Sequence, residues 1–530
     1  MIFLHFYLIL ILMSASLDAF KILVLYPFPS LSHQQGIMAL TERLVKKGHE
    51  LYVISPNAVP GLEKHDNYTY VNTSFAYAYI PDENNADEEV VNFQRHWSKW
   101  EFPKVWKAFA DIPRRQLLSE AFLQFDRRVT SEQIHFDLVI AEAFFLPYAC
   151  AILRNATKSA PIITMTSLMT EFMTEGALGS IEHLSFLPGY YSAYTDRMSL
   201  LQKVDNWIAH YYVTGDLFKH LDRSVSRFCR EFYGPGFENI ASGWRSRSSL
   251  TLIASNPMYF YPRLLGPNVI ETGPLHFKPL KKLPQNLQNW LDGAEKGVIY
   301  FSLGCNMRGK SLDANILANF LKLFAELQPL GYRVLWKWEA DEEIPGQSSN
   351  ILAQKWIPQH SVLAHPKVKA FITQGGLQSF QEAVHYGVPL VGVPFYGDHA
   401  NNVLKMVDAG IGTQLLPKNL DSYEDIKAAL QAVLYDDKYT KNMKRHSAIS
   451  HDFTSRAMDQ ALFWVEHVAR HGATHLRPST ADASLFEFFC LDIISVIVFL
   501  GILFLYIVYF LCRSIIAMIC QKSEAKMKSS

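Results

Sequence analysis

The pattern of hydrophobic and polar positions begins, after an apolar N-terminal stretch, with a short run typical of a buried strand. This run, FKILVLYP (20–27), is apolar and ends at a proline. An amphipathic stretch from His33 to Lys47 follows and ends at Gly48, a residue type that commonly terminates a helix. The next apolar run, LYVIS (51–55), predicts a second strand. This strand–helix–strand order predicts an α/β domain with a parallel sheet.

The same alternation continues along the chain. Later strands of the first half are predicted at 136–143 (FDLVIAEA) and 161–167 (PIITMTS). Residues 80–130 and 170–245 have weak periodicity, and we expect helices and loops there that shape a pocket. In the second half the predicted elements are strands at 297–304, 332–338, 368–374 and 389–394, an amphipathic helix at 312–327 and a charged helical segment at 437–475.

A stretch rich in Pro and Asn, residues 265–296, separates the two halves and is the predicted linker. We therefore predict two facing doubly wound domains, 20–275 and 276–475. Ligands of such folds bind at the carboxyl ends of the strands, so the predicted site is the cleft between the domains.

Both ends of the chain carry long apolar segments. Residues 1–19 end in small residues and predict a secretory signal peptide; a buried N-terminal helix is the alternative. Residues 493–512 contain no charged residue and are long enough to cross a bilayer as a helix. Acidic residues precede this span within a juxtamembrane segment (476–492), and basic residues follow it in a tail (513–530). The positive-inside rule places the tail in the cytosol.

Short signals agree with a single-pass protein whose body lies in the lumen of the endoplasmic reticulum. Lys526 and Lys528 have the spacing of a dilysine retrieval signal. Three sequons predict N-glycosylation at Asn67, Asn72 and Asn155.

The composition argues against a nucleic-acid partner and against sites built from cysteine. The 530 residues carry 50 basic and 50 acidic side chains, and this balance argues against a nucleic-acid partner. Three of the six cysteines lie in or beside the membrane span, and the other three have no regular spacing, so neither a disulfide framework nor a zinc site is predicted.

The stretch 356–399 is the most informative part of the sequence. A predicted strand ends there in Gln374-Gly375-Gly376, and a helix follows. Glycines at such a turn let the backbone approach a ligand, and the helix start offers N–H groups to a phosphate. Many α/β folds have a Gly–Gly turn for packing alone, so the turn by itself is a weak signal.

Over its whole length this stretch resembles the 44-residue signature of the UDP-glycosyltransferase family. The spacing agrees at Trp356, Gln359, Gly375-Gly376, Glu382, Pro389, Pro394 and Asp398. The resemblance extends to the VIYFSLG strand, to residues 267–276 and to residues 471–478. Among members of the family, the chain is similar to those of insects. It implies the GT-B architecture of two facing Rossmann-like domains.

The resemblance also implies roles for individual residues. Trp356 would stack on uracil, Gln359 would face its edge, and Glu382 would accept hydrogen bonds from the ribose hydroxyls. The phosphates and the sugar would be contacted by Ser302, Gln374, Gly376, Ser379, Asp398 and His399. Outside the resemblance, Trp356 would be interpreted as a core aromatic and Glu382 as part of a solvated helix face.

A hydroxyl acceptor needs a base to take its proton. His33 follows the first strand, where the cleft of an α/β protein opens, and the family has its base at this place. The family orients that base with an acid, usually Asp, at a later strand end, where this chain has Glu142. Glu is able to hold the imidazole, although its extra methylene changes the reach.

Two departures bear on the donor sugar. Relatives usually have His at the position of Gln374 and Gln at the position of His399. Glucose is the expected sugar, with galactose and glucuronic acid left open. Arg263 is a further possible donor contact. No Asp-x-Asp motif or carboxylate cluster indicates a catalytic metal, and no cofactor is expected beyond the UDP-sugar co-substrate.

The resemblance thus implies an inverting transferase that conjugates a small lipophilic acceptor. A catalytically silent binding protein on the same fold is the main alternative. A sugar-nucleotide epimerase and a nicotinamide enzyme are disfavoured, the latter because no Gly-x-Gly-x-x-Gly follows the first strand. The identity of the acceptor and homo-oligomerisation are left open.

Overall fold

The computed structural model describes residues 19–79, 98–152, 160–169, 172–305, 307–340 and 342–527. The chain forms two compact units, a body that ends at Arg477 and a C-terminal unit from Pro478. The expected signal peptide, Asn155 and Lys528 lie outside the described residues.

A seven-stranded parallel sheet organises the first lobe of the body, in the order β3-β2-β1-β4-β5-β6-β7. Its strands are β1 Lys21–Leu25, β2 Glu50–Ser55, β3 Tyr68–Asn72, β4 Leu138–Glu142, β5 Ile162–Thr166, β6 Ser248–Ile253 and β7 Val269–Glu271. The central strands are buried along nearly their whole length because helices cover both faces of the sheet.

The helices of this lobe are α1 Leu31–Lys46, α2 Phe102–Leu117, α3 Glu120–Ser131, α4 Leu146–Ile152 and α5 Leu200–Tyr233. The longest, α5, begins at a capping box in which Ser199 and Gln202 exchange side-chain and backbone hydrogen bonds. It lies in the region of weak periodicity and packs against α2.

A six-stranded parallel sheet organises the second lobe, in the order β10-β9-β8-β11-β12-β13. Its strands are β8 Gly297–Ser302, β9 Tyr332–Lys337, β10 Ile351–Gln354, β11 Val368–Thr373, β12 Leu390–Gly392 and β13 Gly412–Gln414. The remaining helices of the body are α6 Gln285–Asp292, which precedes β8, and α7 Ala314–Leu327, α8 Gln359–Leu363, α9 Leu377–Tyr386, α10 His399–Asp408, α11 Tyr423–Tyr435, α12 Asp437–Thr454 and α13 Ala457–His471.

Short 3₁₀ turns complete the body at Ser74–Tyr79, Lys99–Glu101, Ala143–Phe145, Trp244–Arg247, Gly309–Ser311, Pro417–Asn419 and Thr474–Leu476.

The predicted linker is more ordered than its composition indicates. It contains β7, which is the edge strand of the first sheet, and the helix α6.

The last helix of the body returns to the first lobe, although sequence order would assign it to the second. Ala461, Leu462 and Val465 of α13 are buried in one hydrophobic core with Phe20 and Val24. Nε2 of the buried His49 lies 3.1 Å from Oε1 of Glu466 on α13. The chain therefore crosses between the lobes twice.

The C-terminal unit contains a 3₁₀ turn, Ser479–Ala481, a short helix, α14 (Leu485–Phe488), and a long helix, α15 (Leu491–Met527). Within α15, residues Leu491–Ser523 are long and apolar enough to cross a membrane. The helix continues through Arg513 and does not stop at the expected boundary after Cys512. This helix fits a single-pass membrane anchor.

Candidate active site

A cleft of about 680 Å³ lies between the two lobes and is lined by residues of both. Its volume is within the range of pockets that bind small molecules. Of the sequence-predicted site residues, the cleft is lined by His33, Ser302, Trp356, Gln359, Gln374, Gly376, Ser379, Glu382, Asp398 and His399. The fold thus brings together residues that are distributed over more than 360 positions of the chain.

On the first lobe, His33 lies in the first turn of α1 and not in the loop after β1, because the helix begins two residues earlier, at Leu31. Its Nδ1 lies 3.5 Å from Oε1 of Glu142, the last residue of β4. The backbone N–H of Phe28 donates to Oε2 of Glu142 at 3.2 Å. Burial raises the pKa of Glu142, and the neighbouring His33 and Phe28 oppose this effect.

The wall beside His33 is strongly apolar. The phenyl ring of Phe28 packs against the imidazole with a centroid distance of 4.6 Å. Side chains from α2, the β4–α4 connection and α5 continue the wall, which includes Trp106, Phe109, Phe144, Phe145, Leu168, Tyr190, Leu217 and Leu221. This part of the cleft can remove a ring system from water at about 25 cal/mol per Å² of buried apolar surface.

On the second lobe, the turn between β11 and α9 approaches the cleft through its backbone. Gly375 has φ +90°, and a Cβ there would lie 2.5 Å from Cγ2 of Val403, so a side chain is excluded. Gly376 is the N-cap of α9 and supplies no side-chain cap. The first N–H groups of α9 and the positive end of its dipole therefore face the cleft with Gly376 and Ser379.

Trp356, Gln359 and Glu382 lie in one part of the cleft, on the second lobe. Trp356 is 62% exposed, which excludes a role in the core. Nε2 of Gln359 donates to Oγ of Ser379 at 3.1 Å and to Oε2 of Glu382 at 2.8 Å. Its Oε1 accepts from the hydroxyl of Tyr300 at 3.0 Å, so the amide of Gln359 is fixed.

Glu382 is almost completely buried, and two histidines face its other oxygen. Nε2 of His276 and Nε2 of His360 lie 3.4 Å and 3.3 Å from Oε1. Burial alone would raise the pKa of this carboxyl, but the two imidazoles outweigh it and lower the pKa to about 2. Glu382 is therefore ionised at neutral pH.

Polar groups without partners gather where the two lobes approach. Oε1 of Gln374 and Nδ1 of His399 are buried and make no hydrogen bond to any described residue. Burial lowers the pKa of His399, which keeps the imidazole neutral near pH 7. One carboxylate oxygen of Asp398 accepts from Nδ2 of Asn402 at 2.8 Å. Ser302 ends β8 beside them.

Comparison with known proteins decides the family. The model of the family described as "UDP-glucoronosyl and UDP-glucosyl transferase" matches residues 21–527, nearly the whole chain. The chain belongs to the UDP-glycosyltransferase family. Its members transfer sugars, so the protein is an enzyme of this class.

Individual relatives agree with the family. UDP-glycosyltransferase UGT5 of Dactylopius coccus is 29% identical over 96% of this chain and 94% of the relative. Human UDP-glucuronosyltransferase 2A3 is 28% identical over 88% of each chain. A UDP-glucosyltransferase from Polygonum tinctorium matches in structure with a TM-score of 0.57 and 14% identity, over 86% of this chain and 100% of that one. This likeness shows the GT-B fold.

Arg263 differs from the other predicted contacts because it does not line the cleft. Its guanidinium is 1% exposed and pairs with Glu175 and Glu271, at 2.5 Å and 2.9 Å.

Of the predicted glycosylation sites that the structure describes, Asn72 is exposed and Asn67 is partly exposed.

Sequence analysis missed His276 and His360 as members of the site. Each lies inside a stretch that carries the family resemblance, yet nothing in their spacing shows that both reach Glu382. His276 follows β7, and His360 is the second residue of α8. In the folded chain the two imidazoles meet, with a centroid distance of 5.7 Å.

Proposed function

We propose that this UDP-glycosyltransferase moves glucose from UDP-glucose, with inversion, to a hydroxyl of a small lipophilic acceptor. The observation that supports this most directly is a histidine–glutamate pair beside an apolar wall, opposite the polar groups at the start of α9. The cleft therefore has the two chemically different halves that such a transfer needs.

His33 would act as the base. When Nδ1–H of His33 donates to Glu142, Nε2 carries the lone pair that accepts the acceptor's proton. The buried carboxylate then stabilises the imidazolium that forms. In one displacement the acceptor oxygen bonds to the anomeric carbon, the bond from that carbon to the UDP oxygen breaks, and the proton passes to Nε2.

The donor would lie along the second lobe. Uracil would stack on the exposed Trp356, and the ribose diol would meet the ionised Glu382. The diphosphate would face Ser302, Ser379 and the N–H groups at the start of α9. Because the helix dipole and these donors offset phosphate charge, the proposed transfer needs no metal.

A neutral sugar suits the charges of the cleft better than a glucuronate. Arginine is not among the described residues that line it, and Arg263 is committed elsewhere. Nζ of Lys337 pairs with Glu339 at 2.7 Å, and Nζ of Lys278 lies 3.4 Å from Glu42. The third lysine of the lining, Lys281, is exposed. The neutral Gln374 and His399 each have a buried polar atom without a partner among the described residues, and they fit sugar hydroxyls.

The body would lie in the lumen of the endoplasmic reticulum, anchored by α15. This follows from the charge asymmetry about the apolar span and from the lysines of the tail.

A donor competition tests the proposal. Detergent-solubilised full-length protein is incubated with mixed phenols and steroids and with UDP-glucose, UDP-galactose or UDP-glucuronic acid, and both UDP and glycoside are measured. We expect glucoside formation, with UDP-glucuronic acid used least. A preference for UDP-glucuronic acid would overturn the choice of sugar. Binding of UDP-glucose without any glycoside would favour the silent binding protein.

A further inference from the structure

Three side chains from separate segments converge at the nucleotide end of the cleft. His276 lies between β7 and α6, His360 in α8 and Glu382 in α9. One ring nitrogen of each histidine and a carboxylate oxygen of Glu382 all lie within 4.8 Å of one another. His276 and Glu382 are buried, and the side chain of His360 is 27% exposed, so the cluster is open on one side.

The distances within the cluster fit a metal site. A charge-assisted hydrogen bond between imidazolium and carboxylate is about 2.7–2.9 Å long. The two distances to Oε1 of Glu382, 3.4 Å and 3.3 Å, are longer. They match the separation of about 3.4 Å between ligand atoms in a tetrahedral site with bonds of about 2.1 Å.

Outer hydrogen bonds orient two of the three groups. Nδ1 of His360 lies 3.2 Å from the hydroxyl of Tyr386, and in the tautomer that donates there Nε2 presents its lone pair. Nε2 of Gln359 donates to Oε2 of Glu382, which leaves Oε1 toward the histidines. Such outer hydrogen bonds are typical of protein metal ligands.

His276 gives a second observation. Its Nε2 is buried, and its contact of 3.4 Å with Oε1 of Glu382 lacks the geometry of a hydrogen bond. A buried polar atom without a good hydrogen bond costs free energy, and a metal ion would remove that cost. Its ring is held by the neighbouring Phe277, with a centroid distance of 4.7 Å.

We propose that His276, His360 and Glu382 form a binding site for a borderline transition-metal ion of the Zn²⁺ class. Two imidazoles and one carboxylate are a ligand set that Zn²⁺ takes in other proteins, with a fourth position left for water. Here the open side of the cluster faces the cleft.

One consequence rests on the proposed function. Glu382 cannot bind a metal ion and a ribose diol through the same oxygens. A bound ion would therefore exclude UDP, and Zn²⁺ would inhibit transfer in competition with the UDP-sugar. The ion would regulate the donor site and take no part in the chemistry.

Metal binding is tested on the full-length protein without nucleotide. Co²⁺ is titrated and its visible absorption recorded, and Zn²⁺ affinity is obtained by displacement of Co²⁺. Wild-type protein is compared with His360→Ala, with Glu382→Gln and with His467→Ala. The last is a control, because Nε2 of His467 lies 2.9 Å from Nε2 of the exposed His475 and this pair is the competing site.

We expect His360→Ala and Glu382→Gln to weaken Zn²⁺ binding at the cleft at least tenfold, and His467→Ala to leave it unchanged. Equal affinity in wild type and in both cleft variants would overturn the proposal, as would loss of the Co²⁺ spectrum in His467→Ala. His360 is partly exposed, so its truncation leaves the fold intact, which a thermal melt verifies. Metal binding that UDP fails to displace would keep the metal site and contradict the proposed position of the ribose.

Discussion

Nδ1 of His33 and Oε1 of Glu142 lie 3.5 Å apart, although 108 residues separate them in sequence. β1 and β4 are neighbours in the first sheet, with Leu25 opposite Ala141, so the last residue of β4 and the segment that follows β1 meet at one edge. The pair follows from the parallel order of the sheet, and the apolar wall beside it limits access of water.

Replacing His33 with Ala removes the proposed base. We expect a loss of transfer of about 10²–10⁴-fold, because proton removal from the acceptor is no longer assisted. UDP affinity should stay unchanged, since its proposed contacts lie on the other lobe. The control is His65→Ala, because His65 is an exposed histidine of the same lobe that does not line the cleft. Transfer by His33→Ala at a wild-type rate would exclude the base assignment.

Glu142→Gln keeps the shape of the side chain and removes its charge. We expect kcat to fall by about 10²-fold with little change in KM, because the imidazole loses its orienting acceptor and its imidazolium loses stabilisation. Glu142→Asp should retain more activity than Glu142→Gln. Kinetics of the two variants at saturating donor verify this order, and the reverse order would show that reach matters more than charge.

Trp356→Ala tests the proposed uracil stack without disturbing the core. Stacking of a base on an aromatic ring contributes about 1–3 kcal/mol, so KM for the UDP-sugar should rise roughly tenfold to a hundredfold. The melting temperature should not change, because the ring is 62% exposed. Trp207→Ala, on α5 and 56% exposed, is the matched control and should change neither quantity. An unchanged KM in Trp356→Ala would place uracil elsewhere.

The buried His399 should make stability depend on pH. Its pKa is lowered by burial below the value of about 6.5 of the unfolded chain. Its contribution to the free energy of unfolding is therefore complete above pH 6.5 and is lost as pH falls below it, by at most about 1.4 kcal/mol per pH unit. Melting temperatures of wild type and His399→Gln between pH 7.5 and 5 should diverge, with the shallower slope in the variant. Parallel curves would show that this imidazole takes up its proton in the folded protein.

α13 should be essential to the first lobe. Val465 is 0% exposed in the core it shares with β1, and Val465→Ala should lower the free energy of unfolding by about 2 kcal/mol. Phe463→Ala, on the same helix and 55% exposed, should cost little. Chemical denaturation of the two variants measures the difference. Equal effects would mean that α13 does not stabilise the lobe.

Much of the fold was predictable because its strands are short apolar runs with clear ends. The positions of β1, β8 and β11 follow from such runs, and the signature from Trp356 to His399 needed only local order to place its residues. Helices and loops were expected over 170–245, but α5 could not be located there, because its first turns expose apolar residues such as Leu201 and Trp207 and so blur the amphipathic period.

Long-range packing was not predictable. A linker rich in proline gives no sign that Val269–Glu271 pairs with β6, and a charged helical segment gives no sign of the sheet that it covers. For the same reason the burial of Arg263 between two acids and the convergence of His276 and His360 on Glu382 appear only in three dimensions. Periodicity reports which face of an element is apolar and says nothing about its partner.

The return of α13 to the first sheet has a consequence for biosynthesis. During translation, residues 20–275 are synthesised well before residues 457–471, roughly 10–40 s earlier at the usual rates of elongation. During that interval the growing chain cannot bury Phe20 and its neighbours beneath α13. This part of the core of the N-terminal half therefore stays uncovered until nearly the whole body has been translated, and a stop codon anywhere before residue 457 yields a product that lacks α13 to cover it.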